Sequence, residues 1–376
     1  MRSNTQWLHP TKARWTGTAV LATGALLLSG CAAGAEATTS EAAAACETTT
    51  PTHLLLGTAD LDVSYIPYGI LADELGYFDD ECVDMTLEVT AGGGVQSLLA
   101  GQTDFAMSGP EQLVAANNGA PIGAKTIYNY IPDLNIYLGV LADSDIESTA
   151  DLAGKTIGLE SASPMYDSFL TKSLEPHGLG LDDITTITTG YGATPAEALE
   201  SGEVDAVLYW PGMFTSWEAA GYDMRILTGT EWSAGFDGIG LSVRDETLEE
   251  DPELVEAVSR AIARSTVYLK RYPESAVRIF WEAYPERAPL PGADEEEALE
   301  RDLAVLESTL DTMGVMENDE DYTWGTQTLD RWTNQIAYMQ ASGTVDPAAT
   351  IDPTLFFSAD HIEAANDFDL DEITEQ

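Results

Sequence analysis

The chain is short of positive charge. Its 376 residues hold 16 Lys and Arg against 64 Asp and Glu, a formal net charge of −48. Such a surface repels phosphate backbones and anionic headgroups, which excludes nucleic-acid binding and a polybasic membrane patch. The acids are scattered, apart from 293–302 and the C-terminal tail, as on a solvated acidic surface. Histidine and cysteine are also scarce, at 4 and 3. No metal-ligand spacing, phosphate loop or Ser-His-Asp order can be assembled from them. No metal or cofactor is therefore expected. Past residue 30 no segment is long and apolar enough to cross a bilayer.

What is present begins with an address. Arg2, Lys12 and Arg14 precede an apolar run from Thr16 to Leu28, and small residues follow. Basic, then apolar, then small is the order of a secretory signal, so 1–30 read as a signal peptide. Leu28-Ser29-Gly30-Cys31 resembles a bacterial lipobox, which would make Cys31 the lipidated residue. Residues 31–50 are mostly Ala, Thr, Glu and Ser and cannot bury enough surface to fold, so they read as a flexible tether. Export would place Cys46 and Cys82 in an oxidising compartment. Each precedes a β-like run. If those strands are parallel neighbours, a bridge is geometrically open to them; two free thiols are the alternative.

About 325 residues then remain, enough for two lobes with separate cores. A unit occurs twice in them. The first copy has strand Leu54–Thr58, an amphipathic segment Ile66–Leu75, strand Met85–Thr90, Gly92-Gly93-Gly94, helix Val95–Ala100 and strand Asp104–Ser108. The second has strand Thr156–Leu159, helix Met165–Leu174, strand Ile184–Thr189, Gly190-Tyr191-Gly192, helix Pro195–Glu200 and strand Asp205–Trp210. One constant offset carries Leu98, Gly101 and Asp104 onto Leu199, Gly202 and Asp205. This repetition predicts an α/β protein with mainly parallel sheets and flanking helices. Asp104 and Asp205 read as polar groups at the starts of buried strands. The runs Asn135–Leu141 and Gly238–Val243 are placed to carry the chain between lobes, which suggests a hinge. Lobe I is drawn as 51–140 plus 240–376 and lobe II as 141–239. Pro252 opens a helix, and further helices are expected over 294–313 and 324–341. Met313, Met339, Trp281, Trp324 and Trp332 read as core.

Gly76-Tyr77-Phe78, Val83-Asp84-Met85, Gly92-Gly93-Gly94 and Leu98-x-x-Gly101-x-x-Asp104-Phe105-Ala106 together resemble one family. It is the NMT1/THI5-like and sulfonate/nitrate-type substrate-binding proteins of ABC transporters. Asp151-Leu152-x-Gly154-Lys155-Thr156-Ile157-Gly158 resembles that family's entry into its second lobe. The resemblance covers about residues 54 to 243. It implies a two-lobed periplasmic-binding-protein fold of the two-crossing kind (type II), and delivery of a small solute to a permease powered by an ATPase. The protein would work as a monomer on the extracytoplasmic face of a bacterial membrane, held there by its lipid alone. The chain departs from the family at Cys82-Val83-Asp84, where Gly-Leu-Asp is common.

Ligands of open parallel sheets lie beyond the C-terminal strand ends. That selects the loops 59–68, 91–95, 108–111, 160–166, 190–194 and 209–214. They are rich in rings: Tyr65, Tyr68, Tyr166, Tyr191, Tyr209, Trp210 and Phe214. They hold Asp60, Asp62, Glu111 and Glu160 but no Lys or Arg. The candidate ligand-binding residues are Asp62, Tyr65, Tyr68, Gly92, Gly93, Gly94, Ser108, Glu111, Ser161, Ser163, Tyr166, Tyr191, Tyr209 and Trp210. A neutral or cationic heteroaromatic solute fits this set, with rings stacking and a carboxylate accepting N–H donors. Within the family that resembles the thiamine-precursor pyrimidine binders. A sulfonate, taurine or nitrate anion is the alternative, held by backbone amides at helix starts. Relatives of this fold that synthesise the thiamine pyrimidine need a reactive His and Lys. His53 and His177 fall outside these loops, so no enzymatic activity is expected.

Overall fold

The sequence repeat becomes a repeat of strand order. The computed structural model describes residue 46 and residues 48–58, 60–90, 93–116, 121–133, 136–228 and 236–376. The signal segment, Cys31 and Gly92 lie outside the described residues. The first unit lays down β1 (Thr50–Leu56), β2 (Val83–Val89), β3 (Phe105–Ser108) and β4 (Ala124–Asn129). The second lays down β5 (Tyr137–Leu141), β6 (Thr156–Leu159), β7 (Thr185–Thr188), β8 (Ala206–Tyr209) and β9 (Met224–Thr228), and β10 (Gly240–Arg244) follows. Two five-stranded sheets result, ordered β2-β1-β3-β10-β4 and β7-β6-β8-β5-β9.

β1 pairs in parallel with β2 and β3, as β6 does with β7 and β8. In each sheet one strand opposes the rest. It is β10 between β3 and β4, and β5 between β8 and β9. These opposed strands are the exchanged ones: β5 follows β4 but joins the second sheet, and β10 returns to the first. The chain therefore leaves the first sheet before Tyr137, earlier than a boundary at 140. The two crossing segments bond to each other. Tyr130 N–H donates to Ile239 O at 2.9 Å, and Gly238 N–H donates to Ile131 O at 2.7 Å. Between them the buried Asp237 accepts from Asn129 Nδ2 at 2.8 Å and from Arg331 Nε at 2.6 Å. Burial still outweighs the Arg331 charge and pushes the Asp237 carboxyl up to about 6.

The duplicated aspartates do the same work twice. Asp104 Oδ2 accepts the His53 N–H at 2.9 Å, and Asp205 Oδ2 accepts the Thr156 N–H at 2.8 Å. Asp104 thus satisfies a backbone donor in the middle of β1, and Asp205 one at the start of β6, each strand being the one its sheet pairs in parallel on both sides. The helix Pro252–Arg271 begins with Pro, and Asp251 caps it by accepting from Leu254 N–H. Its apolar stripe, including Val255, Val258 and Ile262, is fully buried in the core of the first sheet's half. Helices Glu295–Thr312 and Leu329–Ala341 follow. Met313, Met339, Trp281, Trp324 and Trp332 are buried.

Two local expectations need correction. The segment Ile66–Leu75 is not one helix. Gly69, at φ 112°, divides it into a 3₁₀ turn Val63–Tyr68 and a short helix Ile70–Glu74. The tether ends before residue 50, because Thr50 opens β1 and Cys46 is bridged to Cys82. The expected edge is the reason: β1 and β2 are parallel neighbours with Thr50 opposite Val83. Cys82 has φ 61°, the left-handed conformation that glycine adopts freely. That is the position where the family commonly carries glycine, so the departure noted in the sequence falls on a conformation a Cys must be held in.

Candidate functional site

A cavity of about 180 Å³ lies where the C-terminal strand ends of both sheets converge. From the first sheet come Gly57 after β1, Gly94, and Met107, Ser108 and Gly109 at the end of β3. From the second come Glu160 and Ser161 after β6, Tyr191 after β7 and Trp210 after β8. This is the position that strand polarity assigns to a ligand. Of the candidate residues, Tyr65, Tyr68, Gly94, Ser108, Glu111, Ser161, Ser163, Tyr166, Tyr191 and Trp210 line it. No Lys, Arg, His or Cys is among its described lining residues.

The two carboxylates are held differently. Glu160 is fixed by hydroxyls: Ser161 Oγ donates at 2.7 Å, Tyr166 Oη at 3.1 Å, and Tyr191 Oη donates as well. Burial, reinforced by Glu160, holds the Tyr166 and Tyr191 phenols far above their ordinary range, so both remain donors. Glu111 is in the first turn of the helix Pro110–Ala116 and only 4% exposed. Desolvation pushes its carboxyl up to about 7, against a smaller lowering by its own backbone N–H. A side chain at position 109 would collide with it, since a Cβ on Gly109 would stand 2.3 Å from the Glu111 carboxylate oxygens. Gly109 thus leaves the room into which that carboxylate folds.

The rings separate into two groups. Tyr65, Tyr68 and Tyr166 are buried against their own halves. Tyr191 and Trp210 stay partly exposed, with ring centroids 6.2 Å apart. These two offer free ring surface to a solute.

Other candidates are used elsewhere. Asp62 caps the Val63–Tyr68 turn, accepting from Ser64 N–H at 2.8 Å and Ser64 Oγ at 2.5 Å, and is not among the lining residues. Tyr209 is fully buried, and its hydroxyl donates to Gly190 O at 2.6 Å. With Trp217 Nε1, which donates to Gly192 O at 2.8 Å, it fixes the loop that carries Tyr191. Phe214 packs in the same core. Gly93 starts the helix Gly94–Leu99 at φ 79° but does not line the cavity. Gly94 does line it and also meets a packing demand, because a Cβ there would stand 2.9 Å from Met107 O.

Sequence reasoning missed Ile131, Ile136, Met165 and Ile239, which give the cavity apolar wall, the amide of Gln112, and Thr309 and Thr312 from a helix far along the chain. Strand-end logic had reached neighbours of the first group. Nothing in the sequence pointed to the threonines.

Residues 64–276 match the family described as NMT1/THI5 like. The chain belongs to that family. It is 24% identical over 318 residues to the formylaminopyrimidine-binding protein of Halalkalibacterium halodurans, covering 79% of this chain and 89% of that one. It is 23% identical over 287 residues to the riboflavin-binding protein RibY of Chloroflexus aurantiacus, covering 75% and 78%. In three dimensions it is similar to the periplasmic sulfonate-binding protein SsuA of Methylobacillus flagellatus. The TM-score is 0.57 at 18% identity, over 85% of this chain and 94% of that one. The fold is therefore that of the periplasmic binding proteins, with two mixed sheets and flanking helices.

Proposed function

We propose that this protein is the solute-binding component of an ABC importer, anchored by Cys31 to the extracytoplasmic face of the membrane. It captures a small heteroaromatic solute that carries N–H donors and delivers it to the permease. The observation that carries this reading is the composition of the cavity. Tyr191 and Trp210 offer ring surface, Glu111 and Glu160 offer acceptors, and no basic side chain is among the described lining residues. Stacking orients a flat ring, and a carboxylate that accepts N–H bonds selects amino-substituted rings over anions. Two relatives named for formylaminopyrimidine and riboflavin, both flat heteroaromatic compounds, support it. The same lining supports binding over catalysis, because its described residues include no His, Lys or Cys to act on a bound solute. The halves built on the two sheets, with β5 counted in the second and β10 in the first, would then be the two jaws.

A thermal-shift screen across pyrimidines, thiamine, riboflavin, sulfonates and nitrate tests the solute class. Pyrimidines should raise the melting temperature, and stabilisation by sulfonates alone would reverse the assignment. Tyr191→Ala and Trp210→Ala should each weaken binding by about 1–3 kcal/mol, measured by titration calorimetry. Unchanged affinity in both variants would place the solute away from these rings.

A further inference from the structure

The helix Glu295–Thr312 packs both on the helix Pro211–Ala219 of the second half and on the Val63–Tyr68 turn of the first. Its last turn reaches the cavity. We propose that Thr309 and Thr312 form a third wall of the solute site and act there as hydrogen-bond acceptors that select N–H donors. This rests on the solute class proposed above and adds the residues that discriminate within it.

The argument starts from where the hydroxyl protons go. Thr309 Oγ1 donates to Val305 O at 3.3 Å, and Thr312 Oγ1 donates to Ser308 O at 2.9 Å. A threonine hydroxyl has one proton, and each has spent it on the carbonyl one turn back. What each can still offer is lone pairs. Both residues are buried, 6% and 8% exposed, yet both line the cavity. A solute is therefore the partner available to those lone pairs. Gly212 brings Thr309 close to the ring wall. A Cβ on Gly212 would stand 3.4 Å from Thr309 Oγ1 and 3.6 Å from Trp210 Cδ1, so no side chain separates the hydroxyl from the indole. Trp210 then presents a ring surface to the solute, while Thr309 and Thr312 meet its edge. The cavity's two carboxylates, Glu111 and Glu160, follow strands of the first and second sheets. The threonines supply acceptors from a third direction without adding charge.

The test uses the full chain, titrated by calorimetry with aminopyrimidine and with the parent pyrimidine, which lacks the amino group. The wild type should prefer aminopyrimidine. Thr309→Val and Thr312→Val keep the shape and remove the acceptor. Each should lower aminopyrimidine affinity by up to about tenfold and leave pyrimidine unchanged. Thr309→Ser keeps the hydroxyl and should retain the preference, which separates loss of an acceptor from disturbed packing. Circular dichroism of each variant checks that it is folded. A folded double valine variant with the wild-type preference overturns the proposal. So does a wild type that binds aminopyrimidine no better than pyrimidine. A wild type that binds neither ring overturns the solute class itself, and the proposal with it.

Discussion

Replacing Cys82 with Ser should lower the stability of the folded chain by about 4 kcal/mol. The bridge joins residues 36 apart in sequence, and closing a loop of that length removes much of the unfolded chain's freedom. It also ties the first residues before β1 to the edge of β2, where Thr50 N–H donates to Cys82 O at 2.9 Å. Cys46→Ser should cost the same, and the double variant little more, because one constraint is lost in each case. Cys82→Gly should recover about 1 kcal/mol of the loss, since glycine adopts the left-handed backbone of position 82 without a Cβ penalty. Urea unfolding of the oxidised wild type and the four variants measures this directly. An unchanged midpoint in Cys82→Ser would show that the bridge contributes nothing.

Glu111→Gln should have the opposite sign on stability. The Glu111 carboxyl ionises near its ordinary 4.5 in the unfolded chain and at about 7 in the folded one. Between those values the unfolded chain gives up a proton that the folded chain keeps, so stability falls as pH rises. Above about 7 both forms are ionised, and the full cost of burying the charge is present, at most about 3 kcal/mol. Gln carries no such cost. The variant should match the wild type near pH 4 and exceed it by up to about 3 kcal/mol near pH 8. If the carboxylate accepts from the solute, the same variant should bind an amino-substituted ring more weakly. A variant more stable but less able to bind would show that the cavity sets stability against function. Equal stability of the two proteins near pH 8 would show that Glu111 is well solvated in the folded state.

The parts of this molecule legible in the sequence are those that repeat. Asp104 and Asp205 stood out because one offset relates them, and the structure gives both the same backbone donor to satisfy. The same offset lays β4 over β9, but it sets Lys125 on Ile226, residues too unlike for the sequence to mark the pair. Both are edge strands that follow the third strand of each unit. The disulfide was legible as a condition on strand pairing, and β1 with β2 meets that condition. Strand polarity picked out loops that line the cavity but not which of their side chains do. Asp62 and Tyr209 lie in those loops without lining the cavity: Asp62 caps a 3₁₀ turn and Tyr209 anchors the loop that carries Tyr191. Thr309 and Thr312 were invisible because a helix from the end of the chain brings them there, and no local pattern encodes a contact across that distance.

The central claim is that the cavity accepts a flat, donor-bearing ring and refuses an anion. Calorimetric titration of the full chain with aminopyrimidine and with ethanesulfonate, under one set of conditions, tests it most directly. The account predicts saturable heat at one site per chain for aminopyrimidine and none for the sulfonate. Saturable binding of ethanesulfonate, with no heat from aminopyrimidine, would contradict it.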